Sequence, residues 1–443
     1  MAKKQRKIQD FDPLYSFLRH YVDFMLKLSY RTIRYVGRER VPQDGAVIYA
    51  PNHTNALMDA LVILAMDRKA KVFVARADIF RNKTLAKIFK FLKIMPIMRI
   101  RDGIDQVKKN DKTIEKAVDV LRDKVPFCIF PEGQHQTKFS SQPLSKGIFR
   151  IAFQAQELMP DMPLYIVPVG IRYGSFFRFR STARVEVGTP IDVRHFLQTH
   201  PEQTPQEQMN ILREELAERM RESIFYIPND ENYEATYEVC AAVVKKQAKG
   251  VERSAKKRMH RLDAHFRANK LTVEQIQRMQ QEEPERAARL LQLGREAAAE
   301  RAEKGISLHS VSVRYPILSR ILKTLFVVLT LPYWLPVSLL ILPINALCAF
   351  FFTKIKDPAF RNSVRYVVNL VIWPLLLIIY TLIAFLSLPW QWALVAIALL
   401  VPTPVVAQET WRLLRVAVSD FRLFAAHDLR EKYHEMRKII FNK

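Results

Sequence analysis

The chain has 443 residues, enough for a catalytic domain with additions, and its 69 Lys and Arg against 44 Asp and Glu give a formal net charge of +25. That charge favours anionic partners, yet the basic runs lack the aromatic interleaving of a nucleic-acid site, so nucleic acid is not expected. The three cysteines, at 128, 240 and 348, form no CxxC pair and have no zinc-like spacing with histidine. They fit reduced thiols in a cytosol-facing protein and exclude a metal site. No G-x-G-x-x-G follows a strand and no Walker loop is present, so no nucleotide cofactor is expected.

The N-terminal segment FDPLYSFLRHYVDFMLKLSYRTI mixes aromatic and apolar residues with Arg19, His20, Asp23 and Lys27. It is too charged for a transmembrane helix, and the leader MAKKQRK is not followed by a signal-peptide core. Residues 1–35 are therefore expected to form an amphipathic helix at a membrane interface.

From residue 36 to 201 the apolar runs AVIYA, KVFVA, FCIF, LYIVPVG and RVEVG alternate with helical stretches such as DQVKKNDKTIEKAVDVLRDK. This pattern predicts a layered α/β domain. AVIYA reads as a buried strand ending at Ala50, and a helix is expected to start near Thr54 or Asn55, either of which can cap it. His53 then stands in a strand-to-helix turn with Asp59 one turn into the helix. An imidazole supported by a carboxylate suits proton abstraction from a hydroxyl near neutral pH.

Four blocks occur in order: PNHTNALMD at 51–59, IMPIMRIRDG at 94–103, FPEG at 130–133 and IVPVGIRYG at 166–174. Together they resemble the glycerol-3-phosphate and 1-acylglycerol-3-phosphate (lysophosphatidate) acyltransferases, whose first block is NHx4D. Here five residues separate His53 from Asp59, a spacing similar to that of the fungal branch, which also carries membrane segments after its catalytic domain. The resemblance implies an α/β fold with a mixed sheet and direct transfer of an acyl group from acyl-CoA or acyl-carrier protein to a phosphate-bearing glycerol acceptor. It implies His53 as general base and Asp59 as its support. Arg99 aligns with the family's phosphate-binding arginine, and Arg101 shares its face if the backbone is extended.

Glu132 is the candidate for the acceptor hydroxyls, and Gly133 permits a tight turn or a close approach of the backbone. His135 stands where the family often has an arginine, and is read equally as a surface histidine. Lys146 is read as a phosphate contact or as an exposed lysine opening a helix. The fourth block is read as a strand lining the cleft, and its Pro168 predicts an irregular or edge strand.

Residues 202–315 turn rich in Glu, Arg, Lys, Gln and Ala and predict charged helices. Residues 316–408 change again: Ile321–Thr353 carries only Lys323, and Tyr366–Gln408 carries no charge. Prolines divide each stretch, predicting two membrane-embedded hairpins with tips near LPYWLP and LPWQW. The basic connection KIKDPAFRNSVR and the basic tail, 409–443, place the catalytic domain on the cytoplasmic side. Other lysophospholipids or aminoacyl lipids as acceptor, and a noncatalytic lipid-binding protein on the same fold, remain alternatives.

Overall fold

The computed structural model describes residues 6–97, 110–312, 316–355 and 357–441. They divide into two units, Met1–Ile224 with Phe351–Leu370, and Phe225–Phe350 with Val371–Lys443.

The first unit opens with helix α1 (Pro13–Ser29), started by Pro13 in its first turn and by Asp12, whose carboxylate accepts the Tyr15 N–H at 2.9 Å. One of its charged residues turns inward. Arg19 is buried, bonded to Asp23 and to the Leu64 and Asp67 carbonyls, while Phe11, Leu14, Phe17 and Phe24 around it lie exposed. The segment read as helical through Ile33 instead becomes strand β1 (Tyr30–Val36), where aromatic and β-branched residues favour the pleated backbone.

The other strands are β2 (Ala46–Pro51), β3 (Val72–Arg76), β4 (Ile94–Ile97), β5 (Phe127–Cys128), β6 (Leu164–Tyr173), β7 (Ser181–Val187) and β8 (Ile191–Asp192). They form one sheet in the order β1-β7-β6-β2-β5-β3-β4, with β8 paired to β6. All pairs are parallel except β6 with β7 and with β8, so the sheet is mixed as expected.

Between the strands lie α2 (Leu57–Leu64), α3 (Lys83–Phe91), α4 (Asn110–Arg122) and α5 (Gly147–Leu158), and α6 (Val193–Thr199) and α7 (Pro205–Ser223) follow the last strand. Strand β2 is buried along its whole length, which explains its uninterrupted apolar run. Its Ala46, Ile48 and Ala50 share one core with α4, α5, α6 and α7. Val47 and Tyr49 face the other way, into a core with α1, α2 and Tyr366. The sheet is thus the middle layer of three. Helix α7 begins with a full capping box, Thr204 with Glu207, and sends Leu212, Leu216 and Met220 into the first core. Its sequence groups it with the charged segment, but its buried face belongs to the sheet.

Pro168 does not mark an edge. Strand β6 is interior, and Pro168 falls in the gap where its antiparallel partner changes from β8, opposite Tyr165 and Ile166, to β7, opposite Val169 onward. The missing N–H is therefore not needed for either ladder.

In the second unit, α8 (Tyr233–Ser254), α9 (Arg261–Glu282) and α10 (Pro284–Glu303) pack with the C-terminal helix His427–Phe441 around Val239, Val243, Leu290, Leu429 and Met436. The buried Glu238 is met by Arg301 at 2.9 Å and by the Tyr433 hydroxyl at 2.5 Å. The apolar region resolves into helices Pro316–Leu329, Leu331–Leu340, Leu342–Lys354, Arg361–Ser387, Trp390–Leu400 and Thr403–Ala425. The helical stretch Pro358–Ser387, 30 residues long, is long and apolar enough to cross a membrane alone. Two bent pairs, Ile317–Leu329 with Leu331–Leu340 at 67° and Trp390–Leu400 with Thr403–Ala425 at 48°, raise the number to three if each pair counts as one span. The first sharp break thus falls just before LPYWLP, and Pro374 does not interrupt its helix.

Candidate active site

The site grows from the carboxyl ends of two neighbouring parallel strands, β2 and β5. Asn52, just past β2, extends the sheet with its side chain: the amide donates to the Ile171 carbonyl at 3.1 Å and accepts the Ile171 N–H at 2.6 Å. This fixes the chain one residue before His53.

His53 Nδ1 lies 2.8 Å from Asp59 Oδ2, and the His53 side chain keeps 18% of its surface exposed while Asp59 has none. The same Oδ2 accepts the backbone N–H groups of Thr54 and Asn55, both at 2.7 Å. Neither Thr54 nor Asn55 caps α2. The helix starts later, at Leu57, and Asp59, in its first turn, reaches back to two loop N–H groups that precede the helix. The five-residue interval closes through Ala56 at φ +44°, a strained conformation for a residue with a side chain. The Asn55 side chain is fully buried and has no hydrogen-bond partner among the described residues.

The other oxygen, Oδ1, accepts the Tyr173 hydroxyl at 2.8 Å. Burial holds the Tyr173 phenol far above its usual pKa, so it remains a donor. Tyr173 stacks on Tyr30 with ring centres 5.8 Å apart. Tyr173 lies in the fourth block, which the sequence reading treated as wall. Its position at the end of a strand was the available signal.

The FPEG loop encloses His53 from the other side. Phe130 stacks on the imidazole at 4.2 Å, and the Gln136 N–H donates to the His53 carbonyl at 3.1 Å. Glu132 is buried; its Oε2 accepts the His53 N–H at 3.2 Å and its Oε1 the Gln142 N–H at 3.5 Å. Burial pushes its carboxyl up to about 8, although the two N–H groups pull the other way. Glu132 therefore joins the two loops through the backbone. Gly133 takes φ +67°, where a side chain would be strained, and only Ser145 stands near its missing Cβ, at 4.0 Å.

His135 belongs to the same cluster. Its ring is edge-on to His53, with centres 5.4 Å apart, and its Nε2 meets Asp357 Oδ2 at 2.7 Å. Lys146 is exposed, directly before α5, and donates to Gln206 at 3.3 Å. Its backbone follows Ser145, whose N–H bonds the Pro131 carbonyl at 2.7 Å, so the loop is shared while the side chain points to α7. Arg99 and Arg101 lie outside the described residues, just past β4. Sequence reasoning missed Asp357 because nothing local marks it; it comes from a basic connection 222 positions after His135. The cysteines are all buried and none forms a disulfide, and no group of three metal-ligating side chains occurs among the described residues.

Residues 32–172 match the family model Acyltransferase. Among relatives, glycerol-3-phosphate O-acyltransferase 2 of Saccharomyces cerevisiae is 36% identical over 84 residues, 19% of this chain and 11% of that protein. Glycerol-3-phosphate O-acyltransferase 1 of the same yeast is 38% identical over 65 residues, 15% of this chain and 9% of the other. An uncharacterized acyltransferase of Schizosaccharomyces pombe is 33% identical over 67 residues, 15% of this chain and 10% of its own. The matches thus span about a tenth of each relative's length. Among solved structures, the 1-acyl-sn-glycerophosphate (LPA) acyltransferase PlsC of Thermotoga maritima aligns with 46% of this chain and 80% of its own, at 18% identity and a TM-score of 0.33.

Proposed function

We propose that the chain is a membrane-bound O-acyltransferase that moves a fatty acyl group from an acyl thioester to the hydroxyl of a glycerol-phosphate type acceptor, glycerol-3-phosphate or lysophosphatidate. The observation that carries this reading is the His53 Nδ1 to Asp59 Oδ2 contact of 2.8 Å, with Asp59 itself held by the Thr54 and Asn55 N–H groups and by the Tyr173 hydroxyl. Held this way, His53 presents Nε2 as the base. Nε2 takes the acceptor hydroxyl proton as its oxygen attacks the thioester carbonyl; the carbon–sulfur bond breaks, and the departing thiolate takes the proton from the imidazolium. No acyl-enzyme is needed. Asp59 stabilises the imidazolium as it forms.

In this scheme Glu132 holds the two loops around His53, and His135 borders the acceptor. Arg99, with Arg101 beside it in sequence, is the proposed phosphate clamp, because a guanidinium matches phosphate oxygens through two parallel bonds. Acyl-CoA or acyl-carrier protein is the donor, and no cofactor takes part. The long helix Arg361–Ser387 and the exposed aromatic face of α1 support attachment to a membrane, with the catalytic domain on the cytoplasmic side.

The test is purified full-length protein in detergent with labelled acyl-CoA or acyl-carrier protein and a panel of acceptors, products being resolved by mass spectrometry. Transfer to a glycerol-phosphate acceptor is expected, and His53→Ala should lower it by at least about 10²-fold, the contribution of a general base. A folded His53→Ala protein with normal turnover would sink the mechanism, and a wild type that transfers to no acceptor would leave a noncatalytic lipid-binding role.

A further inference from the structure

We infer that Asp357 is a positioning residue for the acceptor side of this site, holding His135 against the His53 ring from a segment that follows the first apolar helices in sequence. The inference rests on the acyltransferase reading and extends it to a part of the chain outside the matched family domain, residues 32–172.

The contact is built from both sides. Asp357 Oδ2 meets His135 Nε2 at 2.7 Å, and Oδ1 accepts the Ala359 N–H at 2.9 Å, so the carboxylate is fixed at the start of the turn Pro358–Phe360. Phe360 from that turn closes edge-on over the His135 ring at 5.1 Å. His135 is thus clamped between a carboxylate and an aromatic ring while its own edge faces His53. The next residues secure the segment to the same unit: Asn362 donates to the Tyr30 hydroxyl at 3.3 Å, the Tyr366 hydroxyl to the Val22 carbonyl at 2.8 Å, and the Tyr21 hydroxyl to the Leu370 carbonyl at 2.7 Å. Through Tyr30 and Tyr173 the segment also stands behind Asp59. One short stretch therefore supports both the imidazole's neighbour and the carboxylate that orients the imidazole.

Folding does not account for this carboxylate. Asp357 is 49% exposed, and ion pairs so open to water add little to stability. What the pair fixes is the rotamer of His135, a ring that otherwise has two free torsions beside the catalytic base. With the ring fixed, the acceptor meets a preformed wall, and the expected signature is in acceptor binding rather than in turnover.

The experiment uses the full-length protein in detergent, with steady-state kinetics varying acceptor and donor separately for Asp357→Ala, Asp357→Asn, His135→Gln and the double variant Asp357→Ala with His135→Gln. Asp357→Ala should raise the acceptor KM about tenfold, the scale of one charge-assisted hydrogen bond, with the donor KM unchanged. Asp357→Asn, which keeps an acceptor for the Ala359 N–H and a polar group for His135, should recover most of the loss. The double variant should be no worse than His135→Gln alone, because the two residues act through one contact. Additive losses, or an Asp357→Ala protein with wild-type acceptor KM beside an active wild type, refute the assignment of Asp357 while leaving the enzyme reading intact. A wild type without transfer to any acceptor refutes the enzyme reading, and the positioning role with it.

Discussion

Tyr173→Phe isolates one bond of the catalytic network. Asp59 accepts three hydrogen bonds on Oδ2 but only the Tyr173 hydroxyl on Oδ1, and the carboxylate has no exposed surface. Removing the hydroxyl leaves a buried oxygen without a partner, because water cannot replace it without a rearrangement. A hydrogen bond to a charged group contributes about 1.5–3 kcal/mol, and that sum must divide between folding and catalysis. Oδ2 keeps its hold on His53, so most of the loss should fall on stability: about 2 kcal/mol, or a fall in Tm of roughly 4–8 °C for a unit of this size. The remainder, under about 1.4 kcal/mol, corresponds to a kcat lowered by less than about tenfold. Tyr30→Phe should be milder on both counts, since Tyr173 still donates to Asp59. The assay pairs thermal unfolding in detergent with kcat at saturating donor and acceptor. A Tyr173→Phe enzyme as stable and as fast as wild type would show that Oδ1 needs no partner and that the network does not orient Asp59.

Glu132→Gln should flatten a pH dependence of stability. Burial lifts the folded Glu132 carboxyl from its ordinary 4.5 to about 8, so its contribution is full below pH 4.5, is lost as pH rises to about 8, and amounts to roughly 4 kcal/mol over that window. Unfolding measured from pH 5 to 8.5 should therefore show the variant gaining on wild type as pH rises; parallel curves would contradict the burial argument. Ala56→Val should destabilise the His53 turn by at least about 1 kcal/mol, because a β-branched residue tolerates φ +44° poorly, and activity should fall with it. Arg99→Lys should raise the acceptor KM and spare the donor KM, as an ammonium lacks the planar fork; unaltered acceptor kinetics in Arg99→Ala would move the phosphate contact elsewhere.

What was legible in the sequence is what a local pattern can encode. The all-apolar run of β2 announced a central strand, and His53, Asp59 and Glu132 stood beside strand ends, where the geometry of parallel sheets gathers side chains. Local pattern failed where a residue's partner is distant. Pro168 left an irregular and an edge strand both open, and the irregular one is found, because sequence does not tell that two short strands, β7 and β8, share one flank of β6 and leave a gap opposite it. Tyr30 read as part of the N-terminal helix and Tyr173 as an ordinary strand residue, since nothing in their neighbours reveals that the two rings meet behind Asp59. Thr54 and Asn55 read as candidate helix caps, yet the helix starts past both, at Leu57, and Asp59 in its first turn serves their N–H groups and the imidazole together.

The same logic bears on the connection after Lys354. Its basic residues suggested a loop between membrane segments, a reading that uses charge alone and needs no tertiary contact. The hydrogen bonds of Asp357, Asn362 and Tyr366 give it a second task, because each reaches a residue more than 200 positions earlier in the chain. A segment so placed ties the start of the long apolar helix to the loops that hold His53. On the proposed reading, membrane attachment and catalytic geometry share the same few side chains, and a substitution among them should be judged by acceptor kinetics before it is judged by membrane binding.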